Sequence, residues 1–471
     1  MTIANDIISC RVPDLDFYLR EGESLDDIDE YGFTPLIESI ITRQMHITKL
    51  LLDSGVDINK PDVTGRTALH WAVDNADIET LRLLLTKGAN PNAYTRSGLC
   101  VLVYPILRAQ ADVKHLLYQY HAKLDFALDF IYAKLLGHRF ELSGDVDIVN
   151  AEGEFIELDY EGFILEFTIA VVKDSLRRFT SSYSTRHLRH VFPAIYATMD
   201  GFAVADELLQ LQHHVALTNQ HHQRIQQLLQ APLLVLPAAS QGHAMCFVRY
   251  QGWWAKIDRG ENSLHEGSVN IYRITKPQAL TLNFILDFLY KKQSRRYFHK
   301  DINKILGLTP VLQLPISAQI VGNCSWANVQ AAIPVAYALQ TLQSVETFQA
   351  QPALDLYTAW IEWDKDRALD ECIQRFYAAQ PPRTASFAAM LGAVLFHCDQ
   401  ADLLHLERAE KILAILTLPD YAYILQSYLD VYCIRRLTRR GNNLLKLLDN
   451  CGVNPNIGVN PIATGLVDKE K

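Results

Sequence analysis

The chain has 471 residues, 49% of them hydrophobic and 21% charged. That balance is typical of a globular protein with a large core, and the length suits two to four domains. A net charge of −9 argues against a surface built to coat nucleic acid or an anionic membrane. No apolar run reaches the ~20 residues of a membrane span. The N-terminal MTIANDIISCRVPDLD lacks the basic-then-apolar pattern of a signal peptide. Eight scattered cysteines form no CxxC pair, which speaks against a metal finger or disulfide scaffold and for a reducing compartment.

The first predicted elements are repeats. Gly32, Gly65 and Gly98 recur every 33 residues, and Gly55, Gly88 and His121 keep the same step. Thr34-Pro35-Leu36 and Thr67-Ala68-Leu69-His70 stand at matching places. The pattern resembles the ankyrin repeat, with a degenerate capping unit at 4–30 and a divergent third unit in which CVLV replaces the signature. Each unit carries two short apolar helices that must stack to bury their faces. The resemblance implies a protein-binding surface. Its exposed tips are expected near Tyr31, Phe33, Asp62, Arg66, Tyr94 and Arg96, with another protein as partner. Bracing of the next domain is the plainer alternative.

Beyond the repeats, VDIVNAEGEFIELDY alternates like a hairpin around Glu152-Gly153. EGFILEFTIAVVKDSLRRF fits strand or helix, and 203–229 reads as one long polar helix or a pair. His213, His214, His221 and His222 lie there without carboxylate or cysteine at ligand spacing, so a solvated helix face is expected rather than a metal site.

The segment 233–260 divides further. Leu233 to Leu236 is an expected strand, Pro237 to Gly242 a loop, and His243 to Tyr250 a second strand. Gln251-Gly252 is a two-residue turn, with positive φ expected at the glycine, and Trp253 to Asp258 is the return strand. Pairing Tyr250 with Trp253 puts Asp258 and His243 on one face as diagonal neighbours. Asp258 can then accept an imidazole N–H and fix the tautomer of His243. A slip of one residue would separate them. Glu261 and Asn262 are alternative orienting groups.

Cys324 precedes a helical pattern marked by Trp326, Val329, Ile333 and Tyr337. Ser325 or Asn323 is expected to cap that helix, and Pro334 to kink it. A cysteine at a helix N-terminus beside an imidazolium favours the thiolate. Gln319 offers an amide donor for an oxyanion, with the Cys324 backbone N–H as the second.

QIVGNCSW resembles the glutamine–cysteine–tryptophan signature of papain-like cysteine proteases. The order His243, Asp258, Gln319, Cys324 is similar to the circularly permuted branch of that family, the adenain and SUMO-protease group, and to bacterial effector acyltransferases. Asn323-Cys324-Ser325 departs from that group's Asp-Cys-Gly, and the Gln319-to-Cys324 gap is short for it. The resemblance implies a Cys324 nucleophile, a His243 base, an orienting Asp258 and a Gln319 oxyanion donor, with no cofactor.

After 345 the chain is helix-rich. Lys291 to Arg296 with Lys300, and Arg435 to Arg440, form basic patches that read as solvated faces, so general nucleic-acid binding is not expected. The combined order resembles the ankyrin-containing effectors that Legionella delivers into host cells through a type IV secretion system. The expected fold is multidomain α and α+β: an ankyrin α-solenoid at 1–130, a papain-like cysteine-protease-like α+β domain at 131–345 and a C-terminal helical cap at 346–471. The expected function is a host-targeted thiol hydrolase whose target the repeats choose. A non-catalytic interaction protein and an acyltransferase using the same side chains are the alternatives.

Overall fold

The computed structural model describes residues 2–142, 146–150, 152–158, 162–213, 217–240, 242–260, 266–320 and 322–454. His214, Glu261, Asn262 and the charged GLVDKEK tail lie outside the described residues. The chain forms two units, one of 1–137, 144–159 and 369–471, the other of 138–143 and 160–368.

In the first unit the repeats appear as helix pairs: Pro35–Ile41 with Met45–Asp53, Ala68–Asp74 with Ile78–Thr86, and Val103–Leu107 with Ala111–Gln119. Ile3–Ile8 and Leu15–Arg20 precede them. Thr34 caps its helix by accepting from the Ile37 N–H, and Pro35 at the first helical position needs no donor. His70 bonds Thr67 through Nδ1 and the Leu99 carbonyl through Nε2. Burial holds it neutral, with its pKa pushed down to about 4. Gly65 has φ +88°, and a Cβ there would sit 3.0 Å from the Arg96 backbone nitrogen. Position 121 keeps the left-handed conformation at φ 67° although it is histidine.

The hairpin around Gly153 forms as expected, with strand β1, Val146–Val149, antiparallel to β2, Phe155–Leu158. It belongs to the repeat-containing unit, as do the helices after 368. The Arg383 guanidinium embraces the buried Asp129 at 2.7–2.9 Å and reaches Asp125. The Ser386 hydroxyl accepts the Val149 N–H. The chain therefore divides differently from 1–130, 131–345 and 346–471. The helices after 368 fall in the unit that holds the repeats. Helical spacing shows that a face is apolar but not what covers it.

The second unit carries a five-stranded antiparallel meander in the order β3-β4-β5-β6-β7. Its strands are β3 Leu233–Ser240, β4 His243–Tyr250, β5 Trp253–Ile257, β6 Val269–Ile274 and β7 Leu308–Leu314. β3 runs through Pro237 to Ser240, where a loop was expected. It is an edge strand, where a residue without an N–H is tolerated. Tyr250 pairs with Trp253, the register expected. The left-handed turn residue is Gln251, φ 51°, rather than Gly252.

One face of the sheet, with Met245, Phe247, Trp254 and Tyr272, packs on Phe284, Phe288 and Phe298. The helix Cys324–Thr341 also packs against the sheet and is buried on nearly every side. Leu165–Ser181 is helical, and 192–228 is a helix pair, Phe192–Gln210 and Asn219–Leu228. His221 completes a capping box with Thr218. No cluster of potential metal ligands occurs among the described residues. No helix among them is long and apolar enough to cross a membrane.

Candidate active site

The site forms where β4 begins, where β5 ends and where the helix Cys324–Thr341 starts. His243 is the first residue of β4, and Asp258 follows the last residue of β5 on the same face. The His243 Nε2 lies 2.9 Å from Asp258 Oδ1. The Gly260 N–H donates to the same oxygen at 3.1 Å. With Nε2 on Asp258, Nδ1 is the ring nitrogen left to face Cys324. A Cβ at position 260 would come within 2.7 Å of the His243 Cε1, so this close approach requires glycine.

Cys324 is the first residue of its helix, and its sulfur accepts the Ala244 N–H at 3.3 Å. Asn323 occupies the cap position but makes no side-chain cap bond, contrary to expectation. Ser325 is the first helical residue after the cysteine, and its hydroxyl is buried without a hydrogen-bond partner among the described residues. Pro334 lies inside a helix that continues to Thr341.

The charges interlock. The Asp258 hydrogen bond, then that to Cys324, pushes His243 up to about 9. Burial opposes ionisation of Cys324, but His243 and the Ala244 N–H hold the thiol below its ordinary value. Burial likewise opposes ionisation of Asp258, yet His243 holds that carboxyl below its usual range. At three other cysteines burial prevails. Burial raises Cys100 to about 11, Cys372 to about 12, and Cys246 further still.

Gln319 reaches the neighbourhood through its backbone. Its N–H donates to the Arg259 carbonyl at 2.8 Å, one residue from Asp258. Its side-chain oxygen is buried and has no hydrogen-bond partner among the described residues.

Sequence reasoning missed four contributors. Asn328, one turn after Cys324, is 1% exposed. Its amide donates to the Ala244 carbonyl and its oxygen accepts the Arg259 N–H, both at 2.8 Å. It thus joins the segments carrying His243, Asp258 and Cys324. A polar residue at i+4 in an apolar helix was the available signal. Arg259, 3% exposed, bonds the Ser317 and Ala327 carbonyls and Glu141. Gly260 and His299 carried no signal of their own, since each matters through a contact distant in sequence.

The expected repeat tips fare differently. Tyr31 is 62% exposed, and Arg96 is exposed. Asp62 is a correction: it is 4% exposed. It accepts from the Thr64 and Arg66 N–H groups, the Thr64 hydroxyl and Trp71 Nε1, so it holds its own loop. Phe33 and Arg66 pack on Trp71, and Arg66 also pairs with Asp74. Tyr94 is half-buried against Phe126, and its hydroxyl accepts from Asn150. Lys291, Lys292, Arg295, Arg296 and Lys300 are exposed, as are Arg435, Arg436, Arg439 and Arg440.

Stacked helix pairs at a 33-residue step, joined to an α+β unit, define an ankyrin-repeat protein of mixed α and α+β architecture. A family model for ankyrin repeats in three copies matches residues 10–95. Human inversin is 38% identical over 65 residues, 14% of this chain and 6% of that protein. Human BCL-6 corepressor-like protein 1 is 34% identical over 79 residues, 17% of this chain and 4% of that protein. The chain thus spans a small part of these curated relatives, and the likeness concerns the repeats.

A solved structure of the Legionella effector AnkH is 71% identical, covers 98% of this chain and 100% of its own, and superposes with a TM-score of 0.72. The chain belongs to the family of the Legionella effector AnkH. An effector is by definition delivered into a host cell, so membership implies that destination.

Proposed function

We propose that the unit containing Cys324 is a thiol hydrolase of the circularly permuted papain-like kind, and that the repeats select its host-protein target. The observation that carries this reading is the contact chain Cys324–His243–Asp258. The thiolate of Cys324 attacks the carbonyl carbon of an amide or isopeptide bond. The carbonyl π electrons move to oxygen, where the Cys324 backbone N–H and the Gln319 amide serve as donors. His243, protonated at Nδ1, gives that proton to the leaving nitrogen as the C–N bond breaks. A water molecule, deprotonated by His243, attacks the thioester, and Cys324 leaves as thiolate. Asp258 holds Nε2 throughout, which keeps the tautomer and ring plane fixed. No metal or cofactor enters these steps. Type IV secretion is the proposed route, and Tyr31 and Arg96 are the proposed partner-facing residues.

The second reading is an interaction protein whose thiol site is not used. It is favoured by the 62% exposure of Tyr31 on a repeat tip. The pH dependence of alkylation at Cys324, read by mass spectrometry in the full chain and in His243→Ala, separates the two. The hydrolase reading expects Cys324 to react faster than the other seven cysteines. Its apparent pKa should lie well below ~8.5 and rise in His243→Ala. A slow thiol indifferent to His243 would leave the interaction reading standing.

A further inference from the structure

A second histidine stands on the far side of Asp258. His299 lies in the π-helical turn Tyr297–Asp301, a rare geometry often found at functional sites. Its neighbour Phe298 is 1% exposed and packs against Phe247 and Phe288, which pins the turn to the sheet. The His299 side chain is itself 11% exposed. Its Nε2 is 3.4 Å from Asp258 Oδ2, the oxygen that His243 and Gly260 do not use.

We infer that His299 is a positioning residue for the thiol site, holding the second oxygen of Asp258 so that the carboxylate presents a fixed plane to His243. This rests on the hydrolase reading above.

The tautomer follows from the neighbours. Lys256, 3% exposed, bonds Glu266 at 2.7 Å, and its ammonium lies 3.4 Å from the His299 Nδ1. An ammonium donates and cannot accept, and the Glu266 carboxylate is farther from Nδ1, at 4.0 Å, so Nδ1 presents its lone pair and the proton is assigned to Nε2. That N–H faces Asp258. The groups around His299 are Asp258, Lys256, Glu266 and, beyond Asp258, His243. Burial first and Lys256 second hold His299 below its ordinary value, so it donates as a neutral ring. At 3.4 Å the contact is long for a hydrogen bond, as is common in a site without substrate.

The Asp258 Oδ2 is buried and makes no hydrogen bond among the described residues, so it depends on the His299 contact tightening; with His299 removed, that charged oxygen would lose the donor placed beside it. The carboxylate would then turn about its Cβ–Cγ bond, and the imidazole would lose its fixed plane. Loss of that plane weakens the hydrogen bond that holds Cys324 as thiolate.

The test is the alkylation profile of Cys324 in the full chain, His299→Phe and His299→Gln. In His299→Phe the apparent pKa should rise by about one unit, equal to about tenfold less thiolate on the acidic limb. His299→Gln retains an N–H near the Nε2 position and should recover most of the loss. A His299→Phe profile that superimposes on the parent, when the parent still depends on His243, overturns this inference and leaves the hydrolase reading intact. A parent profile that ignores His243 overturns both. If His299→Phe does not fold, the 15N resonances of His299 in the parent decide. The proton on Nε2 with Nδ1 bare supports the inference, and the reverse tautomer overturns it.

Discussion

Cys324 and His243 titrate as a pair, and the signs of their shifts set a pH window. Cys324 is held below the usual thiol value and His243 is raised to about 9. Thiolate and imidazolium therefore coexist above the first and below the second. On the hydrolase reading, the nucleophile is lost as pH falls through the Cys324 value. On the same reading, the acid is lost as pH rises through about 9. Hydrolysis should give a bell-shaped profile. Asp258→Asn should shift its alkaline limb to lower pH, because the largest cause of the His243 shift is removed. An unmoved limb would show that another group sets it. Gly260 offers a second check. Its Cβ-to-be meets the His243 ring at 2.7 Å, so Gly260→Ala should displace the imidazole. A misplacement near 1 Å costs on the order of 100-fold in rate. Alkylation of Cys324 at neutral pH reads this directly, and an unchanged rate would mean that the ring position is not critical.

The repeat loops are elements whose stability is stored in side-chain acceptors. Asp29, Asp62 and Thr95 recur every 33 residues, and each accepts backbone N–H groups of its own loop. Asp62→Ala removes four hydrogen bonds at a buried position, two of them from backbone N–H groups. The expected cost is about 3 kcal/mol, visible as a lowered thermal midpoint. A change within about 0.5 kcal/mol would return Asp62 to the class of surface residues. The helix starting at Cys324 depends on Asn328 in a similar way, since that one amide fastens strand β4 and the segment after β5 to the helix.

At the scale of the whole molecule, the late helices and the repeats share one unit. Arg383 is the residue that makes this costly to break, because its partner Asp129 is 1% exposed. Removing one member of a buried pair costs about 3–5 kcal/mol. Arg383→Ala should therefore lower the stability of the repeat-containing unit, measured by denaturant unfolding. Adding Asp129→Asn should recover part of the loss, since the stranded charge is gone. If the double variant is no better than the single, the pair does not hold this unit together.

The repeats were legible in the sequence because their determinants are local. A glycine with positive φ, a threonine cap and two short apolar faces all fall within one 33-residue period. The register of β4 and β5 was legible for the same reason: a two-residue turn fixes pairing, and pairing fixes the face that His243 and Asp258 share. The helix after Cys324 announced itself by its spacing. Contacts between distant segments were decided only by the tertiary structure. Asn328 on Ala244, His299 beside Asp258 and Arg383 on Asp129 join residues from 41 to 254 positions apart in sequence. Asp62 went wrong for a related reason, because a charged loop residue looks exposed until its acceptors are counted. Backbone conformation and periodicity are written in neighbouring residues. Which apolar face covers which, and which polar atom meets which, depends on packing that no short stretch of sequence contains.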